Sequence, residues 1–180
     1  MGELTVLLGG ARSGKSSLAL SLARGSERPV VFIATAEARD REMADRIQHH
    51  RDERPPGWDV IEEPLELAAA LADVPGESLA IVDCLSLWVS NLLEAGLSDA
   101  QIDGAALLAI ERARERAGPT IVVSNEIGLG IVPLGELTRR YRDVLGRLNS
   151  LVCDHADRAA FVVAGRALRL DRPEDLWISP

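Results

Sequence analysis

The chain has 180 residues, a formal net charge of −8, and a composition that is 47% hydrophobic and 27% charged. That is enough for one domain with a full core, and it excludes an intrinsically disordered chain. The acidic balance repels a phosphate backbone, so no nucleic-acid partner is expected, although a local basic patch can still hold a phosphorylated small molecule. Aromatics are only 3% of the chain, so aliphatic side chains must fill the core. No apolar run is long enough to span a bilayer, and the first residues lack the basic region and cleavage site of a secretory signal. Cys84 and Cys153 lie in apolar strings without metal-ligand spacing and read as buried free thiols. A cytoplasmic protein is the expectation.

In chain order, Leu4 to Leu8 reads as a buried strand, followed by a glycine-rich turn and a helix from about Lys15 to Ala23. Val30 to Ala34 is a second strand. Arg39 to Arg54 has helical periodicity and must end at Pro55-Pro56-Gly57. Val60 and Ile61 suggest a short strand, Leu65 to Ala72 a helix, and Leu79 to Val82 a buried strand closed by Asp83. Helices are predicted over Leu85 to Leu93 and Gln101 to Ala117, with a strand over Thr120 to Val123 after the turn at Gly118-Pro119. Leu134 to His155 reads as one long helix or two, Ala159 to Val163 as a further strand, and Asp171 to Pro180 as a tail. Strands that alternate with helices, and are themselves continuous apolar runs, predict a single α/β domain with a mostly parallel sheet covered on both faces.

Gly9-Gly10-Ala11-Arg12-Ser13-Gly14-Lys15-Ser16 fits the phosphate-loop pattern G-x-x-x-x-G-K-[ST]. It follows a strand and opens a helix, so backbone N–H groups and the helix N-terminus converge on a phosphate. Lys15 can reach the β- and γ-phosphates, and the Ser16 hydroxyl can ligate Mg²⁺. Leu79-Ala80-Ile81-Val82-Asp83 has the form of the second phosphate-loop element. Asp83 either helps to hold Mg²⁺ or caps the next helix, and the upstream loop favours the metal.

In Arg39 to Arg51, residues Met43, Ile47 and His50 recur at i, i+4 and i+7 and share a helix face, while His49 falls with Glu42, Asp45 and Arg46 on the polar side. An inward His50 beside Arg46, Arg51 and Arg54 can attack phosphorus, or it is a satisfied boundary histidine. Ser124-Asn125-Glu126-Ile127-Gly128-Leu129-Gly130, at the carboxyl end of a strand, is either ligand crevice or glycine-rich turn. Arg139, Arg140, Arg142 and Arg147 read as a solvated helix face. Leu85, Trp88, Val89 and Leu92 form an apolar stripe that Leu87 and Leu93 widen, which fits either a deep core helix or an oligomer contact.

These motifs, in this order, together with Ile33-Ala34-Thr35, Arg46 to Arg51, Arg54-Pro55 with Trp58, and the string from Ser124 to Pro133, resemble the bifunctional adenosylcobinamide kinase / adenosylcobinamide-phosphate guanylyltransferase of cobalamin biosynthesis. The similarity runs from Leu4 to about Val163. It implies a RecA-like P-loop fold, trimers, and two reactions. ATP or GTP phosphorylates the aminopropanol hydroxyl of adenosylcobinamide, and GMP is then passed from GTP to that phosphate through a guanylylated histidine. The matching histidine is His50. The implied nucleotide contacts are Gly9 to Ser16, Ala34, Thr35, Ala36, Arg51, Asp52, Glu53, Arg54, Glu62 and Asp83. The chain departs from the family pattern at Asp83, where members can carry Glu, and at Ser17, where Arg is frequent. A plain small-molecule kinase would need Lys15 and Asp83 but have no use for His50. A nucleotide switch would need a guanine-reading Asn-Lys-x-Asp string, and none is present.

Overall fold

The computed structural model describes residues 2–38, 40–52 and 54–176, with the side chains of Glu42, Arg46, His49, His50 and Leu176 outside that description. In chain order the elements are β1 (Leu4–Gly9), α1 (Lys15–Arg24), β2 (Val30–Ala34), α2 (Arg41–Asp52), β3 (Asp59–Glu62), α3 (Leu67–Asp73), β4 (Leu79–Asp83), α4 (Leu85–Glu94), α5 (Asp99–Glu115), β5 (Thr120–Asn125), α6 (Glu136–His155), β6 (Arg158–Val163), β7 (Arg166–Leu170) and a 3₁₀ turn over Pro173–Leu176.

The strands form one seven-stranded sheet in the order β3-β2-β4-β5-β1-β6-β7. All neighbours are parallel except β6 and β7. Period-two alternation divides the core into two layers. Leu4, Val6 and Leu8 of β1 join Ile33, Val82 and Val122 against α3, α4, α5 and α6. Leu7 joins Phe32, Ile81 and Val123 on the opposite face, against Ala19, Leu20 and Ala23 of α1. Burial of both faces explains why β2 and β4 read as apolar runs and why only Thr5 interrupts the one in β1.

Helix α4 is a core helix. Leu85, Trp88, Val89, Leu92 and Leu93 are all buried, and the Trp88 indole N–H donates to the Leu65 carbonyl at 2.7 Å. Most of its apolar width is therefore used inside one subunit. Helix α5 begins at a capping box in which Ser98 and Gln101 satisfy each other's backbone N–H groups. That cap starts the helix two residues before the sequence pattern suggested.

Strand β7 was not predicted. Ala164 (φ 50°) and Gly165 (φ 70°) make a two-residue hairpin turn with both central residues at positive φ. All five β7 residues are exposed, because it is an edge strand. The segment read as a tail is also partly ordered. Arg172 donates to the carbonyls of Asp154 and Ala156 at 3.3 and 3.4 Å, a cation at the end of α6. Residues 177–180 lie outside the described residues.

Arg116 is buried at 7% exposure, where α5 ends. Its guanidinium donates to the carbonyls of Val74 at 2.8 Å, Leu71 and Pro75 at 3.4 Å, and Ser78. It therefore ties the end of α3 to the start of β4. Arg116→Ala leaves several buried acceptors without a donor, and a loss of about 3 kcal/mol is expected. Urea unfolding of wild type, Arg116→Ala and Arg116→Lys checks this. The lysine should recover only part of the loss, because one ammonium cannot replace the planar fork.

Candidate functional site

The site lies at the carboxyl ends of the parallel strands, where an open α/β sheet leaves its crevice. Between β1 and α1, the loop from Gly9 to Gly14 turns on unusual backbone. Gly14 sits at φ 102° and Arg12 at φ 56°. A side chain at Gly9 would run into the Val162 carbonyl. The loop is braced from behind, because the Gly165 N–H of the β6–β7 turn donates to the Ser13 carbonyl at 2.9 Å.

Lys15 is 7% exposed. Its ammonium donates to the Gly10 carbonyl at 2.7 Å and lies 3.5 Å from Ser13 Oγ. Burial lowers its pKa, and the nearby Cys84 and Asp83 oppose that shift. This is a partly desolvated cation at the mouth of a helix N-terminus, an environment that favours an anionic ligand.

Asp83 ends β4 and lines the same cleft as Lys15 and Ser16. Cys84, just beyond it, is fully enclosed, and burial followed by the charge of Asp83 pushes its thiol up to about 11. Thr35 is completely buried and faces the protein. Its hydroxyl donates to the Cys84 carbonyl at 2.7 Å and accepts from the Cys84 N–H at 2.9 Å. The Asn91 amide donates to the Thr35 carbonyl at 2.8 Å. Thr35 thus locks the tip of β2 to the tip of β4, and its neighbours Ala34 and Ala36 line the cleft.

Helix α2 forms the far wall through Met43, Ile47, Gln48 and Arg51. Met43 and Ile47 both line the cleft, and so does Asp45, which the spacing had placed on the polar side. Arg51 pairs with Glu62 at the tip of β3. Arg54 stacks its guanidinium 4.0 Å from the centre of the Phe32 ring. Its pKa is lowered by burial, with Arg51 adding to the shift and Asp83 and Glu62 opposing it. Asp52 stands outside this lining and accepts from Gln48 at 2.8 Å. Glu53 and the side chain of His50 lie outside the described residues; the backbone of His50 is in the last turn of α2.

The cleft has a volume of about 1460 Å³ and carries Arg12, Lys15, Arg51 and Arg54 among its lining residues. Four strand spacings separate β3 from β1, roughly 19 Å. Glu62 and the phosphate loop therefore sit at opposite ends of a trough as long as an extended nucleoside triphosphate. Phe32 and Asn125 are among the lining residues not singled out from the sequence. Phe32 gave no signal beyond being apolar. Asn125 belonged to the segment left open between crevice and turn, and it lines the cleft. The arginines of α6 face elsewhere. Arg140 and Arg147 pair with Asp99 and Asp103, and Arg142 pairs with Asp143.

Solved structures with the same fold include an ATPase of the type III secretion system of pathogenic bacteria. It has a TM-score of 0.59 at 13% identity, over 98% of this chain and 62% of that one. The RadB recombinase has a TM-score of 0.52 at 16% identity, over 89% of this chain and 74% of that one. The fold is thus a P-loop ATPase fold with a mostly parallel sheet. The bifunctional adenosylcobalamin biosynthesis protein CobP of Pseudomonas aeruginosa is 47% identical over 166 residues, covering 92% of this chain and 95% of that protein. The bifunctional adenosylcobalamin biosynthesis protein CobU of Salmonella typhimurium is 35% identical over 180 residues, covering 93% of this chain and 99% of that protein. The family described as cobinamide kinase / cobinamide phosphate guanyltransferase matches residues 5–170, and the chain belongs to that family.

Proposed function

We propose that the strand-tip cleft carries out both family reactions on a triphosphate bound in one orientation. The supporting observation is that Lys15, Asp83, Arg54 and Arg51 all line one trough of nucleotide length. In the kinase step, the terminal hydroxyl of adenosylcobinamide attacks the γ-phosphorus of ATP or GTP. An O–P bond forms, the β–γ bridge breaks, and the nucleoside diphosphate leaves. In the guanylyl step, an imidazole nitrogen of His50 attacks the α-phosphorus of GTP. An N–P bond forms and pyrophosphate leaves. The corrinoid phosphate then displaces the histidine and takes the GMP.

Lys15 and the loop N–H groups neutralise charge that develops on the β- and γ-oxygens in either step. Arg51, Arg54 and Glu62 hold the nucleoside end, with Ala34 and Ala36 forming its floor. The guanidinium of Arg54 is held over the Phe32 ring and lines the same trough. Ser16 and Asp83 would hold Mg²⁺, which would supply positive charge to neutralise the phosphates. A hydroxyl and one carboxylate suit that ion, which takes few protein ligands when phosphates supply the rest. Among the described residues there is no cluster of three or more His, Cys, Asp or Glu that could hold a metal ion. No helix among the described residues is long and apolar enough to cross a membrane. A cytoplasmic homotrimer fits the family likeness, and the highly exposed Leu129, Ile131 and Leu134 favour association.

Lys15→Ala should slow both reactions by about 10²–10³-fold, since both develop charge on the same phosphates. Steady-state assays of corrinoid phosphorylation and guanylylation check this, and near-normal kinase activity would refute the phosphate-loop role. Asp83→Asn should weaken nucleotide binding more with Mg²⁺ than without it in parallel titrations. Equal loss in both would make Asp83 a structural cap. His50→Ala should abolish guanylylation and keep much of the kinase activity, while His49→Ala does far less. The protein adduct should carry label from α-labelled but not γ-labelled GTP, and it should be acid-labile. An adduct that persists in His50→Ala would assign the nucleophile elsewhere.

A further inference from the structure

Strand β5 lies between β1, which carries the phosphate loop, and β4, which carries Asp83. Its last residue is Asn125, paired in register with Gly9, the first residue of the loop. The side chain of Asn125 lines the cleft between the Lys15 and Asp83 sides. This position is fixed by a buried polar scaffold. The Asn125 carboxamide N–H donates to Ser86 Oγ at 2.9 Å, and the main-chain carbonyl of Asn125 accepts from the Asn149 side-chain amide at 3.0 Å. Asn149 is itself oriented by Ser124, whose hydroxyl donates to its Oδ1 at 2.7 Å. Ser86, Ser124 and Asn149 are 1%, 0% and 4% exposed, respectively. The next residue, Glu126, donates its backbone N–H to the Gly9 carbonyl at 3.0 Å, which ties the end of β5 to the phosphate loop.

Ser86 thus holds the carboxamide itself, while Asn149, oriented by Ser124, fixes the main chain that carries it. After its bond to Ser86, Asn125 keeps one N–H and its oxygen without a partner among the described residues. An amide held this rigidly at a strand tip stabilises charge without reorganising during reaction.

We propose that Asn125 is a catalytic residue of the kinase step, contacting the γ-phosphoryl group as it passes to the corrinoid hydroxyl. Its free N–H donates to a γ-oxygen while the O–P bond forms and the β–γ bridge breaks. The hydroxyl proton leaves with the transferred phosphoryl and passes to water. Ser86 and Asn149 are positioning residues that act through Asn125. The guanylyl step breaks the α–β bridge instead, so Asn125 then meets only the terminal phosphate of the departing pyrophosphate. Its role should therefore divide the two reactions. This inference rests on the proposed use of one cleft for both transfers, but its kinase arm does not depend on His50.

The test compares Asn125→Ala, Asn125→Asp and Ser86→Ala in the full chain. Kinase kcat, nucleotide KM and GMP-adduct formation are measured separately. Asn125→Ala should lower kinase kcat by about 100-fold, as removal of one preorganised donor does. Nucleotide KM should change little, and adduct formation should fall far less than the kinase. Asn125→Asp keeps the link to Ser86, now with the serine hydroxyl donating, but it sets a negative charge against the γ-phosphate. A contact with phosphate makes the aspartate at least as slow as the alanine, whereas a purely structural role makes it nearly normal. Ser86→Ala should show a smaller loss in kinase kcat. Near-normal kinase kcat in Asn125→Asp, or parallel loss of both reactions in Asn125→Ala, overturns the proposal. If the alanine variant fails to fold, the aspartate variant decides alone. A wild-type protein that phosphorylates the corrinoid but forms no adduct would remove the histidine reading and leave the kinase comparison intact.

Discussion

The ammonium of Lys15 is the constraint around which the site is organised. It is nearly buried, touches a backbone carbonyl and a serine hydroxyl, and has no ion pair among the described residues. A cation in that position is costly without an anion, so the loop favours an anionic ligand. The surrounding backbone explains how the cation is held there. Gly14 supplies the positive φ that leads into α1, Gly9 lets the loop approach Val162, and the β6–β7 turn supports Ser13 from outside the cleft. The small C-terminal hairpin is therefore part of the phosphate site's foundation.

The sheet order then distributes the chemistry. Because β5 and β4 lie between the loop strand and β2, the tips of β5, β4, β2 and β3 follow one another along the cleft. Asn125 and Asp83 stand near the phosphate end, with Ala34 and Glu62 toward the other. Thr35, sealed between β2 and β4, keeps two of those tips in register, with its hydroxyl bonded to the Cys84 main chain. A single trough with different groups at each phosphorus offers a physical basis for two transfers on one chain.

Much of this was legible in the sequence because the strands are buried on both faces and the motifs are local. The phosphate loop combines a strand, a glycine turn and a helix start within a short stretch, and its geometry follows from those residues. Asp83 announced itself as a carboxylate ending an apolar run. Strand β7 was hidden because an edge strand needs no apolar face: Arg166 and Arg169 interrupt Ala167, Leu168 and Leu170, and the turn before it places Ala164 at positive φ, where glycine or asparagine would have given the signal. Helix α4 was ambiguous because width of apolar surface does not say what covers it. The inward aim of Asn125 and the stacking of Arg54 on Phe32 depend on contacts between residues far apart in the chain, which no local pattern encodes.

The central claim is that one bound triphosphate is attacked at two different phosphorus atoms. A GTP analogue with a methylene group between the β- and γ-phosphorus tests it directly. The α–β bridge of this analogue can still be cleaved, while its γ-phosphoryl group cannot be transferred. Incubation with Mg²⁺ should give the GMP adduct by intact-protein mass spectrometry, no corrinoid phosphorylation, and competitive inhibition of the ATP-driven kinase reaction. Formation of the adduct while ATP-driven phosphorylation proceeds uninhibited would place the two reactions in separate sites and contradict the account.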